Sequence, residues 1–125
     1  MKFALSLLAV ISVAQAEFRS GSVSTREHFT YGKFVRRMKA PNKKGTVSSF
    51  FTYWDGPEMQ GAWNELDFEI VPSVEANPLS LNMIYGSHDQ RAESHEYVHG
   101  FNPRDEWHTY AFEWTPHYVS WSVDG

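Results

Sequence analysis

Along most of this 125-residue chain, apolar and polar residues alternate with a period of two rather than 3.6. In "YGKFVRRMKA" (31–40) the alternation sets Phe34, Arg36 and Met38 on one side and Val35, Arg37 and Lys39 on the other. A polar turn, "APNKKG" (40–45), leads into the β-branched and aromatic run "TVSSFFTYW" (46–54), and "DGPEMQG" (55–61) reads as a loop. The runs "NELDFEIV" (64–71) and "LSLNMIYG" (79–86) follow, and the polar stretch around "SHDQRAES" (87–94) reads as another loop. The last strands are expected at "HEYVHGF" (95–101), "WHTYAFEW" (107–114) and "YVSWSVDG" (118–125), where Asp124-Gly125 signals a hairpin turn. Short strands separated by turn residues, with no helical period, predict an antiparallel all-β sandwich.

The first sixteen residues follow a different pattern. Lys2 gives a positive start, Phe3 to Val13 is apolar, and Ala14-Gln15-Ala16 is a small-x-small cleavage site. This is the layout of a secretory signal peptide, too short for the ~20 apolar residues of a membrane span. The expectation is an exported chain beginning at Glu17 and forming one domain over 17–125. It has no membrane association once the leader is gone.

Composition sharpens this picture. Ten of the 11 basic residues remain after Lys2 is removed, against all 15 acidic ones, which argues against a nucleic-acid partner. There is no cysteine, so stability must come from packing without disulfides. Five Trp, six Tyr and nine Phe suit either a sandwich core or a surface that stacks sugar rings.

The candidate chemistry lies in "WNELDFEI" (63–70). In a strand, Glu65, Asp67 and Glu69 share one face while Leu66, Phe68 and Ile70 point to the other. At a rise of ~3.3 Å per residue, the Cα atoms of Glu65 and Glu69 lie ~13 Å apart. Two glutamates leaning together can bring their carboxyls to the ~5–5.5 Å that separates nucleophile and acid/base in a retaining glycosidase. Crowded carboxylates cannot all ionise freely, so at least one is expected to keep a proton near neutral pH. Geometry alone does not choose which glutamate plays which part. A solvated acidic stripe is the plain alternative, and a calcium site is a poorer one because calcium gathers six or more oxygens, usually from loops.

The flanks decide between them. "GKFVRRMKAPNKKGTVSSFFTYWDGPEMQGAWNELDFEIVPS" and "WHTYAFEWTPHYVSWSVDG" resemble glycoside hydrolase family 16, which includes lichenases, laminarinases and glucan transglycosylases. The resemblance implies a concanavalin A-like jelly roll, incomplete here at both ends, because family domains exceed ~200 residues. A chain ending at Gly125 is expected to leave an unpaired edge, and so to fold poorly alone or to belong to a longer product.

By the same resemblance, Glu65 is the nucleophile, Glu69 the general acid/base and Asp67 the helper between them. Trp63 matches a tryptophan beside the scissile sugar, Phe51 and Tyr53 match cleft aromatics, and Asn82 matches an asparagine that hydrogen-bonds sugar hydroxyls. The uninterrupted E-x-D-x-E form is closer to lichenases and transglycosylases than to laminarinases, which insert a residue before the last glutamate. The implied function is retaining cleavage of a β-1,3-1,4- or related β-glucan by a secreted or cell-wall monomer. The alternatives are transfer of the glycosyl group to another sugar, or a non-catalytic or inactive glucan-binding fragment. No cofactor is expected, although the resemblance allows a structural calcium in a complete domain. Among the six histidines only His95 and His99 have strand spacing for a shared metal, and no third ligand accompanies them.

Overall fold

The computed structural model describes residues 19–43, 45–60, 62–71, 79–86, 91–97 and 100–125, with 58 and 91–97 described as backbone. Among these residues seven strands form: β1 (Gly32–Met38), β2 (Ser48–Trp54), β3 (Asn64–Ile70), β4 (Leu79–Ile84), β5 (Arg91–Tyr97), β6 (His108–Trp114) and β7 (Val119–Val123). One 3-10 turn, Pro57–Met59, interrupts the loop between β2 and β3. All pairings are antiparallel. They build a three-stranded sheet in the order β1-β6-β7 and a four-stranded sheet in the order β2-β3-β4-β5. The all-β sandwich expected from the alternation is the observed architecture.

The two sheets meet through aromatic side chains. Phe68 and Ile70 of β3, Leu79 of β4, and Tyr110 and Phe112 of β6 are almost wholly buried. Each such side chain contributes roughly 1.5–3 kcal/mol from burial. Phe112 is the hub: Phe34 stacks on it at 5.1 Å from its own sheet, and Phe50 meets it at 5.0 Å from the other. Phe68 adds an edge-to-face contact with Tyr110 at 5.5 Å. The same parity that sends Leu66, Phe68 and Ile70 inward therefore holds Glu65, Asp67 and Glu69 on the outward face. A half-open pocket of about 360 Å³ lies beside β7, bordered by Phe68, Leu81, Phe101 and Trp121 among others.

The stretch before β1 ties the sheets together at one end. His28 lies edge-on to Trp54 of β2, whereas Phe29 meets Phe34 of β1 and Tyr31 meets Trp114 of β6. At the other end Asp124 adopts the left-handed conformation, φ 59°, that the turn signal called for. One carboxylate oxygen accepts the Thr109 N–H at 2.8 Å and the other accepts the His108 ring N–H at 2.7 Å. His108 thus serves the turn, and its proximity holds the Asp124 carboxyl below the usual carboxylate range.

One element falls elsewhere than expected. The polar stretch 87–94 reads as a loop and 95–101 as a strand, but β5 begins at Arg91 and ends at Tyr97. Strand pairing uses main-chain groups and does not require apolar alternation, so "RAES" joins the ladder with β4 despite its polarity. The expected leader, residues 1–16, lies outside the described residues.

Candidate active site

β3 lies between β2 and β4, with no break in register against either neighbour from Glu65 to Glu69. Among the described residues, the register of this sheet shifts between Met83 and Ile84, opposite β5. The acidic strand is therefore regular, without the bulge that an inserted residue would produce. Residues directly opposite in an antiparallel pair share a face. The outward face accordingly carries three cross-strand rows: Tyr53, Glu65 and Ile84; Phe51, Asp67 and Asn82; Ser49, Glu69 and Ser80. Beyond them, β5 sets Ser94 opposite Asn82 and Glu96 opposite Ser80.

Two donors organise the carboxylates. The indole Nε1 of Trp63 donates to Oε2 of Glu65 at 3.0 Å. Trp63 is itself anchored by its main-chain N–H to the carbonyl of Gly86 at 3.1 Å. The amide nitrogen of Asn82 donates to Oδ1 of Asp67 at 2.8 Å and reaches Oε2 of Glu69 at 3.5 Å. Two of the three acidic residues thus share one donor, and the third has its own.

Asp67 is the buried member, only 3% exposed, while Glu65 and Glu69 are half-buried. Burial pushes its carboxyl up to about 7, and the charges of Glu69 and Glu65 add to the shift. The Asn82 hydrogen bond works in the opposite direction by favouring the ionised form. At neutral pH the centre of the triplet therefore holds a proton for much of the time. Crowding alone predicts at least one raised carboxyl among the three. The resolved shift falls on Asp67, because it alone is enclosed on the strand.

Each residue singled out from the sequence can now be placed. Glu65, Asp67 and Glu69 share a face, Trp63 is bonded to Glu65, and Phe51 and Tyr53 lie opposite Asp67 and Glu65. Both aromatics are well exposed, at 44% and 50%, as a ring available to a ligand must be. Asn82 lies in the middle row, but its amide is directed at carboxylates, which adds a second duty to the sugar contact that the resemblance implies. Ser49, Ser80 and Ile84 complete the face and were not singled out; only cross-strand register reveals them, and register is not visible in one strand. A further tie, from the Trp121 indole to the Asp67 carbonyl, spans 54 residues and has no local signature. Among the described residues, no group of three or more His, Asp or Glu could hold a metal ion. His88 and His99 lie outside the described residues.

Two layers of antiparallel strands, with an acidic triplet and exposed aromatics on one outward face, define a class of carbohydrate-active sandwich domains. The chain belongs to glycosyl hydrolases family 16, whose model matches residues 4–125. That match takes in most of the segment read as a leader. A β-glucanase of Acetivibrio thermocellus is 37% identical over 110 residues, covering 86% of this chain and 31% of its own length. A β-glucanase of Fibrobacter succinogenes is 38% identical over 120 residues, covering 91% and 33%. Among solved structures, a β-1,3-1,4-glucanase (lichenase) from a mouse hindgut metagenome superposes with a TM-score of 0.68 at 36% identity, over 80% of this chain and 45% of that one. A Bacillus licheniformis β-glucanase gives 0.65 at 33% identity, over 78% and 44%. The chain spans about a third of the length of these two curated relatives and under half of the two solved structures.

Proposed function

We propose that this chain carries the catalytic face of a secreted retaining endo-β-glucanase that cleaves β-1,3-1,4- or related β-glucans. The observation that carries this reading is the regular β3 strand, which sets Glu65 and Glu69 on either side of a buried, partly protonated Asp67. In the first step the Glu65 carboxylate attacks the anomeric carbon, a C–O bond forms to the enzyme, and Glu69 gives its proton to the departing glycosidic oxygen. In the second, Glu69 takes a proton from water, and the water oxygen displaces Glu65 with a second inversion, so the configuration is retained.

The neighbouring residues have distinct parts in this scheme. Trp63 holds Oε2 of Glu65, which fixes the attacking group, and presents an indole to the sugar. A proton on Asp67 removes a negative charge from between the two glutamates. Phe51 and Tyr53 offer ring faces to the pyranoses of a glucan chain. The names of the relatives, β-glucanase and lichenase, favour hydrolysis over transfer and a mixed-linkage substrate. The leader pattern supports export, and a monomer suffices because one chain supplies every proposed residue, from β2, β3, β4 and the residue just before β3.

Incubating the protein with mixed-linkage β-glucan and following the new reducing ends by proton NMR tests the reading. The β-anomer should appear first and then mutarotate. An absence of cleavage, or initial release of the α-anomer, would refute it.

A further inference from the structure

We infer that Trp121 is a positioning residue for the acidic face, acting from the opposite sheet through the main chain of Asp67. The inference rests on the catalytic reading above and adds a residue to it. Trp121 lies on β7, opposite Phe112 of β6, with its side chain packed against the core. Its Nε1 donates to the Asp67 carbonyl at 3.0 Å. An indole N–H can only donate, and a buried one usually finds an acceptor. A carbonyl has two lone pairs, so Asp67 can accept this bond in addition to one from its own ladder.

The place of the bond gives it consequence. Asp67 is the central residue of the triplet, with Glu65 and Glu69 each two positions away along β3. A shift of that one peptide tilts both glutamates relative to a sugar held between them. Asn82 restrains the Asp67 side chain from the neighbouring strand, and Trp121 restrains the Asp67 backbone from beneath the sheet. Packing leaves part of the indole uncovered, because Trp121 lines a half-open pocket of about 360 Å³ beside β7. The hydrogen bond ties ring and peptide together.

Trp121→Phe keeps an aromatic ring and deletes the donor. Trp114→Phe is the matched control: it removes an indole that packs on Tyr31, in the same sheet. On β-glucan, W121F should lower kcat on the order of tenfold with KM changed less than about twofold, since small misplacements cost rate more than binding. W114F should keep kcat within about twofold at a comparable loss of Tm. An independent reading comes from the Trp121 indole N–H resonance in 15N-labelled wild type. It should move with pH around the Asp67 titration, near 7, and lose that response in D67N. Equal kcat in W121F and W114F, or an indole signal indifferent to Asp67, would overturn the inference. If the wild type cleaves no glucan, the catalytic reading fails, while the resonance still decides whether Trp121 and Asp67 are coupled.

Discussion

Asn82 donates one amide nitrogen to two acidic side chains, at 2.8 Å to Oδ1 of Asp67 and at 3.5 Å to Oε2 of Glu69. Such a shared donor lowers the cost of bringing carboxylates together, and it favours the ionised form of the one it holds most closely. Asn82→Ala should therefore push the Asp67 titration further up from about 7. Carboxyl 13C NMR of Asp-labelled protein measures this directly. An unmoved titration would leave Asn82 as a sugar contact only.

The raised carboxyl of Asp67 also makes stability depend on pH. Below about pH 4 the folded and unfolded chains both hold the proton, and the native state carries no charge penalty at this site. As pH rises from about 4 to 7, the unfolded chain releases a proton that the folded chain retains, so stability falls. Above about 7 the folded carboxyl ionises too, and the loss is complete. Asp67→Asn has no such loss. It should be more stable than wild type at pH 8, by up to about 4 kcal/mol for a carboxyl raised from 3.8 to about 7, and melt at a correspondingly higher temperature. The advantage should vanish at pH 4. Thermal melts at the two pH values check this, and an equal offset at both would show that the effect is not ionisation.

Phe51 and Tyr53 are exposed neighbours of Asp67 and Glu65 and contribute little to the core. Replacing either with Ala should raise KM for β-glucan about tenfold, the equivalent of ~1.4 kcal/mol of binding. Stability should change by no more than about 0.5 kcal/mol, as for other surface substitutions. A large drop in Tm with unchanged KM would mean that the rings serve the sheet rather than the substrate.

Much of this arrangement is legible in the chain, because strand parity is a local property. The alternation in "NELDFEI" is enough to separate the acidic face from Leu66, Phe68 and Ile70, and the structure keeps that separation. What one strand cannot disclose is its neighbour's register, so Ser49, Ser80 and Ile84 emerge only once β2 and β4 are aligned on β3. The polar start of β5, 91–94, escapes notice because its pairing is carried by main-chain groups. The depth of Asp67 is equally hidden. Its letter is that of a residue usually exposed, and only the packed sheet shows that the centre of the triplet, not its flanks, bears the desolvation cost.

The amino terminus offers a separate test. Export with cleavage after Ala16 yields a protein beginning at Glu17, which intact mass and amino-terminal sequencing would show. Secreted protein that retains residues 4–16 would instead join that segment to the domain, in keeping with a family match that starts at residue 4.

The central claim is that Glu65 bonds covalently to sugar during turnover. A 2-deoxy-2-fluoro β-glucoside of an activated leaving group slows release of the intermediate, so the adduct can be located by peptide mass spectrometry. One sugar should be attached at Glu65, and none in Glu65→Gln. A label on another residue, or turnover of β-glucan by Glu65→Gln at the wild-type rate, would contradict it.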